Sequence, residues 1–149
     1  MFIDIRRLER DHGKFIAAHR QAVEDSAEEA AKAGERLSKE RPGFKHRTGN
    51  AKARTKGRVI RRGGKVIVRM SNDAKYAAIL EKGSRPHIIR PKRPGGFLRF
   101  EIQGRIVYAR QVRHPGTKPY RFLSKGRDVA SRMFEQVLRP RMIRAARGF

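Results

Sequence analysis

The chain has 149 residues, 38% of them hydrophobic, with 38 Lys and Arg against 14 Asp and Glu, a net charge of +24. That length suits one domain with a true core, and that charge attracts a polyanion, most often nucleic acid. With no cysteine, disulfides, thiolate metal sites and cysteine nucleophiles are excluded.

The charge is divided along the chain: residues 1–40 carry −1 and residues 41–149 carry +25. The start, MFIDIRRLERDHGK, is charged from residue 4 and lacks the apolar run of a signal peptide. The longest apolar run, Tyr76–Leu80, falls far short of the ~20 residues of a membrane span. These features read as a soluble intracellular product with no membrane partner.

Residues 5–40 predict one long helix, with Gly13 as a point of interruption. Ile16, Val23, Ala27, Ala30, Gly34 and Leu37 recur at helical spacing, and the stripe is mostly small, so a neighbour should pack closely on it. Glu24, Asp25, Glu28 and Glu29 form an acidic patch. Without a histidine among them, a solvated or subunit-contacting face is the better reading than a metal site. Pro42-Gly43 ends the helix.

Residues 45–58, KHRTGNAKARTKGR, read as a mobile basic connector. RVIRR-GG-KVIVRMS is then a β-hairpin turning at Gly63-Gly64. Val59, Arg61, Val66 and Val68 fall on one face. Arg58, Ile60, Arg62, Lys65, Ile67 and Arg69 fall on the other, the more basic face. In SNDAKYAAILEKGS, Ser71, Asn72 or Asp73 is expected to cap a short helix, and Gly83 to close it in the αL conformation.

PHIIRPKRPGG, with prolines at 86, 91 and 94, predicts an extended edge segment. FLRFEI-QG-RIVYARQV is a second hairpin: Leu98, Phe100 and Ile102 alternate with Phe97, Arg99 and Glu101, and Val107 and Ala109 join the Leu98 side. A last helix from near Ser124 carries the columns Val129, Met133, Val137 and Ala130, Phe134, Leu138. Pro140 should break or kink it, leaving 140–149 as a basic tail. The order predicts a single α+β domain over 1–149: a small antiparallel sheet of two hairpins packed by a long N-terminal and a C-terminal helix. Phe100, Ile102, Val107, Phe122, Met133 and Val137 are its expected shared core.

Catalytic patterns are weak. The histidines at 12, 19, 46, 87 and 114 lack metal-ligand spacing, no phosphate loop opens a helix, and Ser84 and Ser124 sit in no nucleophile elbow. Asp73-Ala74-Lys75 has the spacing of one nuclease class, but no acid between 41 and 72 could share its metal, so a helix cap is preferred. No enzyme, catalytic residue, metal or cofactor is expected. Groove-reading motifs are also missing, which leaves phosphate contacts without sequence reading.

Three stretches belong together: YAAILEKGS at 76–84, HIIRPKRPGGFLRF at 87–100, and VRHPGTKPYRFL at 112–123 before the amphipathic helix. In order and spacing they resemble the tailed-bacteriophage neck or tail-completion family, the head–tail joining proteins that include lambda's minor tail protein Z. The likeness covers residues 76 to about 138. It departs where Tyr120-Arg121 separates Pro119 from Phe122.

The resemblance implies a structural virion protein at the head–tail junction, assembled in the bacterial host cytoplasm. It would form a homo-oligomeric ring, hexameric to match a tail, that joins the head connector to the tail. Its partners would be its own copies, neighbouring neck proteins (a head-side stopper or connector, a tail terminator or the tail tube), and double-stranded DNA in a basic lumen. Arg54, Lys56, Arg58, Arg61, Arg62 and Lys65 are the candidate DNA-facing residues, with an acidic neighbour such as the Glu24–Glu29 patch as the other reading of them. Glu24, Asp25, Glu28, Glu29, Glu81, His114, Pro115 and Gly116 are the candidate subunit or partner contacts, the last three as a turn anchored by Phe122-Leu123. A catalytic His114 is the sharper reading of that turn and the less favoured one. The alternative function is a sequence-independent nucleic-acid-binding protein acting outside a ring.

Overall fold

The computed structural model describes residues 5–45 and 48–147. His46 and Arg47 of the expected connector, and Gly148 and Phe149 of the expected tail, lie outside the described residues. Helix α1 (Ile5–Glu40) runs the full predicted length without a break at Gly13. Helix α4 (Phe122–Arg147) lies antiparallel to it, because Phe122 meets Ser38 while Arg141 meets Ser26.

The small-residue stripe explains how closely these helices approach. A Cβ on Gly34 would lie 2.5 Å from the Gly126 carbonyl oxygen, and one on Gly126 would lie 2.0 Å from Ser38 Oγ. Ala27, Ala30 and Ala130 are buried beside them, and Ser38 Oγ donates to the Phe122 carbonyl at 3.0 Å. Backbone packs on backbone here. Ile16 shares the helical spacing yet is exposed, because α1 N-terminal to Ala22 extends beyond this seam and has no buried residue over 11–21.

Strands β1 (Thr55–Arg62) and β2 (Lys65–Asn72) form the first hairpin, with Gly63 and Gly64 both at positive φ in the turn. Gly57 brings β1 onto α1: a Cβ there would stand 2.3 Å from the Ala31 carbonyl oxygen, and its N–H donates to Glu35 Oε2 at 2.7 Å. The described part of the connector holds helix α2 (Asn50–Arg54) and the start of β1, and Asn72 Nδ2 donates to the Ala51 carbonyl and to Thr55 Oγ1, tying it to the hairpin.

Helix α3 (Ala77–Lys82) follows a turn in which Ala77 N donates to the Ala74 carbonyl. That turn delays the helix, so Asn72 accepts from Ala74 N and none of the expected residues caps α3 itself. Gly83 has positive φ but an extended ψ of −175°, not αL, because the chain passes straight into a bridge between Ser84 and Thr117. Ala74, Ala77 and Phe122, the last only 1% exposed, form the buried core with Phe44, Leu80 and Leu123 against it.

Beyond that bridge the chain forms a ribbon. Strand β3 (His87–Ile89) pairs with β6 (Val112–His114), and β4 (Leu98–Ile102) pairs with β5 (Arg105–Ala109) around Gln103-Gly104. Ser84↔Thr117, His87↔His114 and Ile89↔Val112 keep one register. Eight residues, 90–97, then face only two, 110 and 111, before pairing resumes at Leu98↔Ala109. Residues 84–117 are therefore one antiparallel ribbon with a proline-rich bulge on one edge.

The α+β class holds, with a long N-terminal helix, small antiparallel two-stranded sheets and a C-terminal helix. The shared core does not. Phe122 is buried with α3, Met133 and Val137 are half-buried on α4, and Phe100, Ile102 and Val107 lie out on the ribbon, with Ile102 51% exposed. The bulge and the bridge at its root carry the second hairpin away from the last helix. Nor does Pro140 end α4, which continues to Arg147. Past the proline, Arg141 donates to Ser26 Oγ at 3.1 Å and to Glu29 Oε2 at 2.7 Å, holding the last turns on α1.

The glycine seam predicts opposite effects for one substitution at two sites. Gly126→Ala should destabilise by about 1–3 kcal/mol or more, since helix backbones cannot give way as a side chain can. Gly13→Ala, with nothing within 4 Å of the added Cβ, should stabilise by about 0.5–1 kcal/mol. Phe122→Ala should cost about 3–5 kcal/mol. Urea melts of the three variants check all of this.

Glu35 adds a pH dependence. Burial raises its carboxyl, but the Lys39 ammonium, the Gly57 N–H and the Lys56 charge outweigh this and leave its pKa below the ordinary value. Its contribution is then complete above the unfolded-state pKa and is lost as pH falls through the folded one. Glu35→Gln should flatten the decline of the melting temperature on acidification, measured by thermal melts from neutral pH downward.

Candidate nucleic-acid interface

The strand period divides the first hairpin into two faces. Thr55, Gly57, Val59 and Arg61 on β1, with Val66, Val68 and Met70 on β2, lie on the face toward α1 and α4. Lys56, Arg58, Ile60 and Arg62, with Lys65, Ile67, Arg69 and Ser71, form the other. All five cations of that outer face are exposed.

Their register matters electrostatically. Arg58 lies directly opposite Arg69, Arg62 lies opposite Lys65, and Ile60 opposite Ile67 separates the two rows. Like charges placed directly across a ladder destabilise it. Among the described residues none of the five makes an ion pair. Cations on alternate residues of one strand stand about 6.6–6.8 Å apart. Such a face offers several Lys and Arg at once to a row of phosphates, and no element of it could enter a groove as a reading helix.

Four of the six sequence-predicted DNA-facing residues, Lys56, Arg58, Arg62 and Lys65, share this face. Arg61 does not. It points to α1, where its Nε donates to Glu24 at 2.9 Å and a guanidinium nitrogen donates to Glu28 at 3.1 Å. Hydrogen bonds to Glu24, then to Glu28, raise its pKa above the ordinary arginine value. Arg54 is engaged too, donating to Asn50 at 2.7 Å and lying 3.4 Å from an Asp73 carboxylate oxygen. Arg69 belongs to the face and was not among the candidates, although strict alternation from the Gly63-Gly64 turn identifies it.

The expected contact residues mostly act within their own chain. Glu24 and Glu28 hold Arg61, Glu29 holds Arg141, and Asp25 accepts from Gln21 at 2.7 Å. Glu81 accepts from the backbone N–H groups of Leu123 and Ser124 at 2.9 and 3.0 Å and from the Ser124 hydroxyl. A carboxylate there satisfies the free donors at the N-terminus of α4 and complements its dipole. Sequence reading missed this cap because 42 positions separate the partners.

His114, Pro115 and Gly116 sit at the root of the ribbon. His114 Nδ1 accepts from Gly116 N at 3.0 Å, and its ring lies 5.0 Å from that of His87 across the β3–β6 pair. Gly116 has φ +90°, and a Cβ on it would be 2.3 Å from the Ser84 carbonyl oxygen; one on Gly83 would be 2.3 Å from that of Thr117. The turn is a joint that clamps residues 83–86, with Phe122 as its anchor.

Among the described residues no group of three or more His, Asp or Glu is placed to hold a metal ion, and no helix is long and apolar enough to cross a membrane. Compared with known proteins, the chain matches no family model, no curated protein and no solved structure.

Proposed function

We propose that the protein is a non-enzymatic structural component of a tailed-phage head–tail junction. Copies assembled in the host cytoplasm form a ring, sixfold to match the tail, that joins the head connector to the tail. Double-stranded DNA passes through a lumen lined by the outer face of the first hairpin. Its other partners are the neck proteins above and below, a stopper or connector on the head side and a terminator or tail tube on the other.

The observation that carries this reading is the outer face of β1 and β2, five exposed cations of which none forms an ion pair among the described residues and only Lys56 acts on an acid, Glu35. Its like-charge pairs are tolerable where a polyanion screens them. The place of the three resembling stretches supports it further. The first and third, separated by residues 85–111, meet around one joint: Tyr120 N donates to the Leu80 carbonyl, Ser84 pairs with Thr117, and Glu81 caps α4. A second reading, a nucleic-acid-binding monomer, is favoured by one feature: the cationic face is complete within a single chain.

Duplex binding should be independent of sequence, with log Kd changing against log salt by about 0.9 for each phosphate neutralised. Replacing Arg58, Arg62 and Arg69 together by Gln should make that slope shallower by about 2–3 units. Arg61→Gln should leave the slope alone, because Arg61 faces Glu24 and Glu28. An unchanged slope in the triple variant overturns the DNA face. Imaging of the assembled particle decides between ring and monomer: several copies around the channel support the ring, and a single copy or none overturns it.

A further inference from the structure

Residues 84–117 hold eight Lys and Arg against one acid, Glu101. All eight cations are exposed, and among the described residues none of them makes an ion pair. The ribbon also carries the two most exposed aromatic side chains among the described residues, Tyr108 at 63% and Phe97 at 57%. Rings of that size dominate cores and interfaces, and these two serve no core.

The register puts rings and cations on one side. Arg99 lies directly opposite Tyr108, and Glu101 lies opposite Ile106. Phe97 and Arg110 continue the ladder on that side, with the Arg110 guanidinium carbon 5.7 Å from the Phe97 ring centroid. Along each strand line an aromatic alternates with an arginine: Phe97 then Arg99, Tyr108 then Arg110. Diagonal neighbours on one face stand about 7–8 Å apart, so Phe97 and Tyr108 can each receive a separate base. The Gly96 N–H donates to the Arg93 carbonyl at 3.1 Å, closing a turn through Pro94-Gly95 with Gly95 at positive φ. That turn returns the bulge, with Lys92 and Arg93, to the start of β4.

We propose that this side of the ribbon binds single-stranded nucleic acid, with bases stacked on Tyr108 and Phe97 and phosphates held by Arg99 and Arg110. Every base has a π-face, so such stacking needs no particular sequence. A duplex keeps its base faces stacked on one another and offers only edges and phosphates, which leaves two exposed rings without a partner. Glu101 stands against phosphate on the same side, so the path of the strand runs from Tyr108 toward the cations of the bulge. The site is distinct from the outer face of β1 and β2. It goes beyond the ring reading and does not rest on it, adding a second contact for a different form of nucleic acid.

The chain has no tryptophan, so Tyr108→Trp places a single indole on the face. Its fluorescence is followed in the full-length protein during titration with short oligothymidylate, oligouridylate, an abasic oligonucleotide of equal length, a duplex and polyglutamate. Oligothymidylate or oligouridylate should quench the indole, and the abasic oligonucleotide should not. Quenching by thymidylate alone assigns the strand as DNA, and by uridylate alone as RNA. A second measurement uses the anisotropy of labelled oligothymidylate, with Arg58, Arg62 and Arg69 replaced by Gln so that the first hairpin does not compete. Tyr108→Ala and Phe97→Ala, checked by thermal melts, should each weaken binding by roughly 5- to 150-fold. Tyr108→Phe should restore the binding lost in Tyr108→Ala. The alanine variants should keep the salt slope, whereas Arg110→Gln should make it shallower by about 0.7.

Three results overturn the proposal. Equal quenching by the abasic oligonucleotide or by polyglutamate would make the contact one of charge alone. Equal quenching by the duplex would give the face to double-stranded DNA. Alanine variants that bind unchanged would remove the rings from the contact. The two nucleic-acid surfaces fail separately: an indole that ignores both single strands overturns this site and leaves the first hairpin's duplex face. An unchanged duplex salt slope in the Arg58, Arg62 and Arg69 variant overturns that face and leaves this site.

Discussion

The contact between Gly34 and Gly126 brings two helix backbones so close that neither position has room for a methyl group. That closeness sets the geometry of everything attached to α1. Ser26, Ala30, Gly34 and Ser38, spaced at four, form the side that receives α4. Glu24, Glu28, Ala31 and Glu35 form a second side that receives β1 through Arg61 and Gly57. One helix thus holds two elements on adjacent stripes, and a change in its register would shift both. Because β1 is fixed on its inner face, its outer face must point away from the helices, and the alternation of the strand then decides which cations are presented.

The parts of the fold legible in the sequence are those governed by local period. The length of α1, the Gly63-Gly64 and Gln103-Gly104 turns, and the division of the first hairpin into an inner and a more basic outer face all follow from spacing and turn chemistry. The parts that were not legible depend on partners far along the chain. Arg61 looked like its neighbours Arg58 and Arg62 until Glu24 and Glu28 came within reach. Pro140 ends a helix in isolation, but Arg141 binding to Ser26 and Glu29 holds the helix beyond it. The alternation of Leu98, Phe100 and Ile102 correctly defined an apolar face. It did not reveal that the hairpin stands apart from the last helix, because alternation specifies a side and not what lies on it.

The joint at the root of the ribbon resolves what the proline-rich loop does. Gly116 and Gly83 let two backbone segments approach so closely that Ser84 and Thr117 exchange hydrogen bonds, and the Tyr120 N–H reaches the Leu80 carbonyl. Glu81 then closes the same corner by holding the first turn of α4. A charged side chain at a helix start, a buried Phe122 and two glycine contacts therefore fix where the ribbon leaves the body. The ribbon is free to be long and apolar because its direction is set at the joint.

Six of the twelve acids with described side chains join one element of the chain to another. Glu24 and Glu28 join α1 to β1, Glu29 joins α1 to α4, Glu35 holds Gly57, Asp73 meets Arg54, and Glu81 caps α4. Acids used in this way neutralise cations at the seams, and among the described residues none forms an ion pair with a cation of the outer strand face. The five cations of that face add to a chain charge of +24, and the self-repulsion counts against the folded monomer. Close antiparallel packing of small residues provides cohesion that does not depend on charge, so the body can tolerate that repulsion. In the proposed function, DNA along the outer face offsets that repulsion by supplying opposite charge there.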